Sequence, residues 1–444
     1  MKSAGAHAIR SPLEPLLTLD SIEEHLLQWI GDRTLVLLGE AMHGTHDFYE
    51  TRANLTKRLI ENGRCQAVVV EADWPDAYRA NRYVRGTSDD ATAERSLRDF
   101  QRFPTWMWRN SVVVDFLERL RAFNASCSRE EDRVGFYGMD LYSIFRSIGV
   151  ILRYLDDHDP TAAARAKSRY RCFDLFGDTA QAYGYTTGLG MAKSCEAAVV
   201  AQLVELQSQD FRREHALRAP GEDDLFYIEQ NARLVKNAEA YYRTMFQGDV
   251  ASWNLRDRHM VETLVALDGH LRRRIARPKL VVWAHNSHLG DARATDFARR
   301  GEWNVGQLLR ERHAHETFLL GFTTHTGTVT AASEWDGPAG QKQIRPALPE
   351  SYEALFHEME RDRFALNLRD DDSLANALRG PLLERAIGVL YLPESERRSH
   401  YFQADLTRQF DAVLHVDETS ALEPLERMAP WSDGEAPETY PSAL

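Results

Sequence analysis

The amino-acid sequence predicts an α/β fold: a mostly parallel central sheet with flanking helices and a large helical insertion. Three observations carry that reading. Apolar runs at residues 35–39, 67–71 and 280–285 have the length of buried strands, and they lead into Glu40, Glu71 and His285. A helical pattern links the first two, and a strand–helix–strand unit with a short crossover is right-handed and parallel. From about residue 142 to 275 no strand pattern occurs, while apolar residues recur at helical spacing, as in Ile144, Ile148, Ile151 and Leu155.

In chain order, a helix over 21–29 presents Leu26, Leu27 and Ile30, and the first core strand follows at 35–39. After Gly44, the spacing of Phe48, Leu55 and Leu59 predicts a helix over about 46–62, closed by Gly63. Arg52 lies on that same stripe. A core-facing guanidinium needs a buried anion, because an unpaired buried charge is very costly, and Glu40 and Glu71 are the nearest candidates.

The strand at 67–71 leads to a helix over 75–84. An aromatic segment with Phe103, Trp106 and Trp108 reads as core packing or as a pocket wall. A helix carrying Val112, Phe116 and Leu120 comes next, then a strand at 134–138 that runs into Asp140, again an acid at a strand end. The last helix of the insertion, about 253–275, has Met260, Leu264, Leu267, Leu271 and Ile275 on one face. Arg256 and Asp257 point inward at its start, as a structural ion pair or as part of the site. Beyond the strand at 280–285, the pattern gives a helix over 305–311 and strands at 317–323, 326–330 (after a tight turn at Gly327), 364–368, 387–392 and 412–416. Residues 1–141 and 276–428 then form the α/β core, 142–275 a lid or wall, and 429–444 an irregular tail.

A formal net charge of -13 argues against nucleic-acid and anionic-membrane partners. No apolar run approaches the ~18 residues of a membrane span, and the first residues do not read as a secretory signal. Cys65, Cys127, Cys172 and Cys195 show no metal-ligand spacing and read as reduced thiols of a cytoplasmic chain, a monomer or small homo-oligomer.

The three strand ends suggest chemistry. An imidazole such as His43 accepts a proton from water near neutrality, and a neighbouring carboxylate fixes its tautomer; Glu40 and Glu71 both suit that part. His285 could pass a proton to a leaving group, and Arg52 could keep the carboxylates ionised. Nothing marks a nucleophile: there is no G-x-S-x-G elbow and no Gly-rich phosphate loop. The same His and carboxylates could hold a divalent metal, although the H-E-x-x-H spacing is absent.

The segments Gly39-Glu40-Ala41-Met42-His43, Val70-Glu71, Tyr137-Gly138-Met139-Asp140, Arg256-Asp257-Arg258-His259-Met260 and Ala284-His285-Asn286-Ser287-His288 resemble the erythromycin esterase family, in the family's order. The resemblance implies hydrolysis of a carboxylic ester or macrolide-type lactone by water, without a covalent intermediate and with no required cofactor, on a small-molecule substrate. It makes His43 the general base and Glu40, Glu71, Arg52 and His285 the other essential groups. His288, Trp106, Asp140 and Arg256 are expected on the substrate side. Two rival readings stand beside it: a metal-dependent hydrolase of an amide, and a haem or small-molecule binder without catalysis.

Overall fold

The structure, a computed structural model, describes residues 19–177, 179–216, 222–369 and 376–426. The residues ahead of the first helix and the tail expected from 429 lie outside the described residues. The chain forms two compact units. One comprises Met1–Val70, Arg79–Phe136 and Arg274–Leu444, the other Glu71–Tyr78 and Tyr137–Arg273.

Ten strands are present among the described residues: β1 (Leu35–Leu38), β2 (Ala67–Asp73), β3 (Gly135–Asp140), β4 (Leu280–Trp283), β5 (Thr317–Ala331), β6 (Gly340–Ile344), β7 (Arg363–Asn367), β8 (Leu382–Arg385), β9 (Tyr401–Ala404) and β10 (Ala412–Thr419). Eight build one sheet in the order β3-β2-β4-β1-β5-β10-β7, with β6 on β5; β8 and β9 pair separately. β1 runs parallel to β4 and to β5, with Leu38 opposite both Trp283 and Leu320. The β2–β4 and β5–β10 pairs are also parallel, while β7 and β6 are antiparallel additions. The sheet is therefore mostly parallel.

β1 and β4 read as continuous apolar runs because they are covered on both faces, and all their residues are buried. Burying a Leu or Val side chain stabilises by roughly 1.5–3 kcal/mol, so an interior charge at Leu37 would break the sheet. The helix His46–Glu61 turns Phe48, Arg52, Leu55 and Leu59 inward. Trp283 of β4 is tied to it by an indole N–H donated to Thr56 Oγ1 at 3.0 Å.

In the second unit seven α-helices follow β3 among the described residues, from Ile144–His158 to Asp249–Leu271. Ile144, Ile148, Ile151 and Leu155 are buried as their spacing requires, and so are Met260, Leu264, Leu267 and Leu271. No helix of the described residues is long and apolar enough to cross a membrane.

Three expectations are corrected. Gly327 makes no turn: β5 runs unbroken through it, still paired with Thr419 of β10 and with Ile344 of β6. Its φ of +127° suits Gly, and a Cβ there would collide with the Thr419 backbone. Residues 387–392 form no strand. Their apolar side chains are mostly buried, but Ile387 spends its backbone hydrogen bonds on Ala41 and His43. β6 escaped notice because Gly-Gln-Lys-Gln-Ile is a mostly exposed edge without apolar alternation. Finally, Cys172 and Cys195 form a disulfide. Their Cα atoms lie 5.8 Å apart, a distance that spacing along the chain does not reveal. Cys65 and Cys127 are free.

Candidate active site

β1 delivers the first acid. Its apolar run ends at Gly39, where a Cβ would collide with Asn286 Oδ1, so only Gly lets the strand end pack this closely. Glu40 follows, about 1% exposed. Its Oε1 lies 2.9 Å from His43 Nδ1, and its Oε2 accepts from Arg52 Nη2 at 2.9 Å. His43 is fixed through its backbone N–H, donated to Ile387 at 3.0 Å. The next residue, Gly44, takes φ +69° with Thr330 and Trp106 packed against it. His43 Nε2 makes no hydrogen bond to the described residues. With Nδ1–H donated to the carboxylate, Nε2 is the basic nitrogen, a tautomer inferred from the bonding pattern.

Arg52 is fully buried. Its guanidinium lies 4.4 Å from the Tyr49 ring centroid and 5.5 Å from that of Trp283. Two aromatic faces and one carboxylate compensate its charge, while Nε and Nη1 have no hydrogen-bond partner among the described residues. Tyr49 stands three residues before Arg52 on the same helix, so helical spacing could have identified it; the contribution of Trp283 comes from the sheet and had no local signal.

His285 ends the β4 run and caps the short helix Asn286–Leu289. Its Nδ1 accepts from the Ser287 N–H at 3.2 Å and lies 2.8 Å from Ser287 Oγ. Its Nε2 is 3.1 Å from the Ala41 carbonyl, to which it donates. The ring centroid is 4.9 Å from that of His43. Both ring nitrogens are thus spent on neighbouring groups, and His285 holds the loop from which Glu40 and His43 project. Asn286, which sequence reasoning passed over, donates its N–H to the Glu40 carbonyl at 2.8 Å and its side-chain amide to Phe322 O at 2.8 Å and Glu384 Oε1 at 3.2 Å. Burial first, then Glu353, raises the Glu384 pKa well above the usual carboxylate range. His288 is fully buried in the same turn.

Glu40, His43, Arg52 and His285 therefore meet in the first unit. Trp106 belongs to that unit too, 2% exposed and packed on Gly44. Glu71, Asp140 and Arg256 meet in the second unit. Arg256 Nη2 donates to Glu71 at 2.8 Å and to Asp140 at 2.7 Å, and Nε reaches Asp140 at 3.1 Å. Arg52 thus has Glu40 as its anion, and Glu71 has Arg256. Burial opposes the charge on Arg256, but Asp140, Tyr142 and Glu71 outweigh it and hold its pKa well above the ordinary value. His259, one turn further on and bonded to Asn237 at 2.9 Å, is pulled down to about 4 by burial.

Among the described residues no three His, Cys, Asp or Glu side chains are grouped so as to hold a metal ion. The His285 nitrogens are already committed, so this donor set does not fit one. A buried carboxylate bridging an imidazole and a guanidinium fits proton transfer from water.

Comparison with known proteins agrees with the fold. The family model described as erythromycin esterase matches residues 60–419. Erythromycin esterase type II of Escherichia coli is 22% identical over 420 residues, covering 89% of this chain and 91% of the relative. Among solved structures, a succinoglycan biosynthesis protein superposes with a TM-score of 0.76 at 19% identity. A Bacillus cereus protein gives 0.75 at 19% identity. A histidine-to-asparagine mutant of the erythromycin esterase EreC, in its open conformation, gives 0.66 at 16% identity. Each of these three matches covers 95% of this chain and 98% of the other.

Proposed function

Because the chain belongs to the erythromycin esterase family, a family of hydrolases, we propose that it opens a carboxylic ester or macrolide-type lactone with water activated by His43. The observation that carries this reading is the double contact of Glu40, to His43 through one oxygen and to Arg52 through the other.

Glu40 keeps the proton of His43 on Nδ1, which leaves Nε2 to take a proton from water. The water oxygen bonds to the acyl carbon, and Glu40 stabilises the imidazolium that forms. As the tetrahedral intermediate collapses, the acyl C–O bond breaks and the Nε2 proton goes to the departing alkoxide. Acid and alcohol result, with no bond to the protein at any stage. Arg52 acts through Glu40, as the cation that takes its second oxygen and fixes the carboxylate in place. His285 acts through the loop: its Nε2–H, donated to the Ala41 carbonyl, holds Ala41 and hence the spacing of Glu40 and His43. Glu71, Asp140 and Arg256 are assigned no bond-making step here.

The test is a panel of p-nitrophenyl esters and macrolactones, with mass spectrometry for a gain of one water. His43→Ala should abolish turnover while near-ultraviolet circular dichroism stays unchanged. Turnover retained in that variant, or no gain of water across the panel, would falsify the assignment.

A further inference from the structure

We infer that the first unit carries a second binding site, for the phosphate group of a small phosphorylated metabolite, in the cleft lined by Arg293, Arg310, Arg369 and Arg408. The cleft has a volume of about 510 Å³, and none of the residues around Glu40 and His43 lines it. That volume lies within the range of small-molecule pockets.

Its charge is the argument. The chain carries a formal net charge of -13, yet four guanidiniums gather here around two carboxylates, Asp291 and Asp411. Asp411 is shared: its Oδ1 accepts from Arg310 at 2.8 Å and from Arg369 at 2.7 Å, and its Oδ2 accepts the Leu319 N–H at 2.7 Å. Asp291 takes Arg293 through both oxygens, at 2.9 and 2.7 Å, and lies 3.5 Å from Arg310. Arg408 is exposed and has no ion-pair partner among the described residues. Burial lowers the Arg310 pKa; Asp411 opposes this and Arg369 adds to it.

Four cations face Asp291 and Asp411 in the lining, and Glu311, 3.7 Å from Arg293, offsets a further charge, which leaves an excess of one positive charge for the monoanion of a phosphate monoester to cancel. Guanidiniums present paired N–H donors that match phosphate oxygens, and the two remaining lining residues are alanines that leave room for them. Asp370, Asp371 and Asp372 follow Arg369 in the sequence, which makes their carboxylates the alternative to be tested.

Calorimetric titration of the full chain with inorganic pyrophosphate, at constant ionic strength against chloride, tests the inference. Wild type should bind. Arg408→Ala should weaken binding about tenfold, as expected for loss of a charge-assisted hydrogen bond. Arg312→Ala, an exposed arginine that does not line the cleft, should leave it unchanged, and ester hydrolysis should be unaffected in both variants. No binding by wild type, or equal weakening in the two variants, overturns the proposal. So does binding that emerges only after Asp370, Asp371 and Asp372 are changed together to Asn, because the cleft would then belong to the chain's own acids.

Discussion

Glu40 Oε1 lies 2.9 Å from Nδ1 of His43, three residues on, and both side chains are buried. A carboxylate so placed holds the imidazole in one tautomer and supports its positive charge once it has taken a proton. Glu40→Gln keeps the shape but removes the charge. It should lower kcat by about 10²–10⁴ with a much smaller effect on KM. Steady-state kinetics on an ester hydrolysed by the wild type checks this; a change confined to KM would reduce Glu40 to a binding role.

Arg52 and Glu40 form a buried ion pair at 2.9 Å. Removing the cation alone strands the carboxylate, so Arg52→Met should destabilise by about 3–5 kcal/mol. The double variant Arg52→Met with Glu40→Gln should recover part of that loss, because no uncompensated charge is left behind. Urea unfolding of the two variants measures it, and equal loss in both would show that packing against Tyr49 and Trp283 matters more than charge.

The Cys172–Cys195 bond spans 23 residues of sequence. Titration of the unfolded, unreduced protein should find two thiols, from Cys65 and Cys127, and four after reduction. Opening a loop of that length should cost about 3 kcal/mol by the chain-entropy relation. Four thiols before reduction would restore the sequence-based reading of reduced cysteines.

Burial, helped by Arg385, pulls His400 down to about 4 from the ordinary 6.5, and its Nε2 accepts the Leu392 N–H at 2.9 Å. The folded state thus prefers neutral His400, while the unfolded chain takes up a proton below about pH 6.5. The resulting stability is present above pH 6.5 and lost as pH falls toward 4. Going from pH 7 to pH 5 should cost about 2 kcal/mol at this residue. His400→Gln should flatten that part of the stability profile in urea titrations, and a profile as steep as that of the wild type would remove His400 from the account.

The sequence by itself determined the sheet's central strands, the helical character of the second unit and the acids and imidazoles at the strand ends. Those features are local: apolar runs such as 35–38 and 280–283, helical spacing along 144–155, and an abrupt change to Glu or His. The inward position of Arg52 was readable too, because a 3.6-residue period puts it on the stripe of Phe48 and Leu55. Only the tertiary structure decided partners. Glu40 and Glu71 were equal candidates for Arg52 on paper, and Arg256 claims Glu71 across 185 residues of chain. The disulfide, the unbroken β5 and the hold of His285 on Ala41 likewise depend on segments distant in sequence. The physical reason is the same throughout. Which side chains face inward follows from backbone period and hydrophobic burial, whereas which buried charge meets which is decided by the packed geometry of the whole fold.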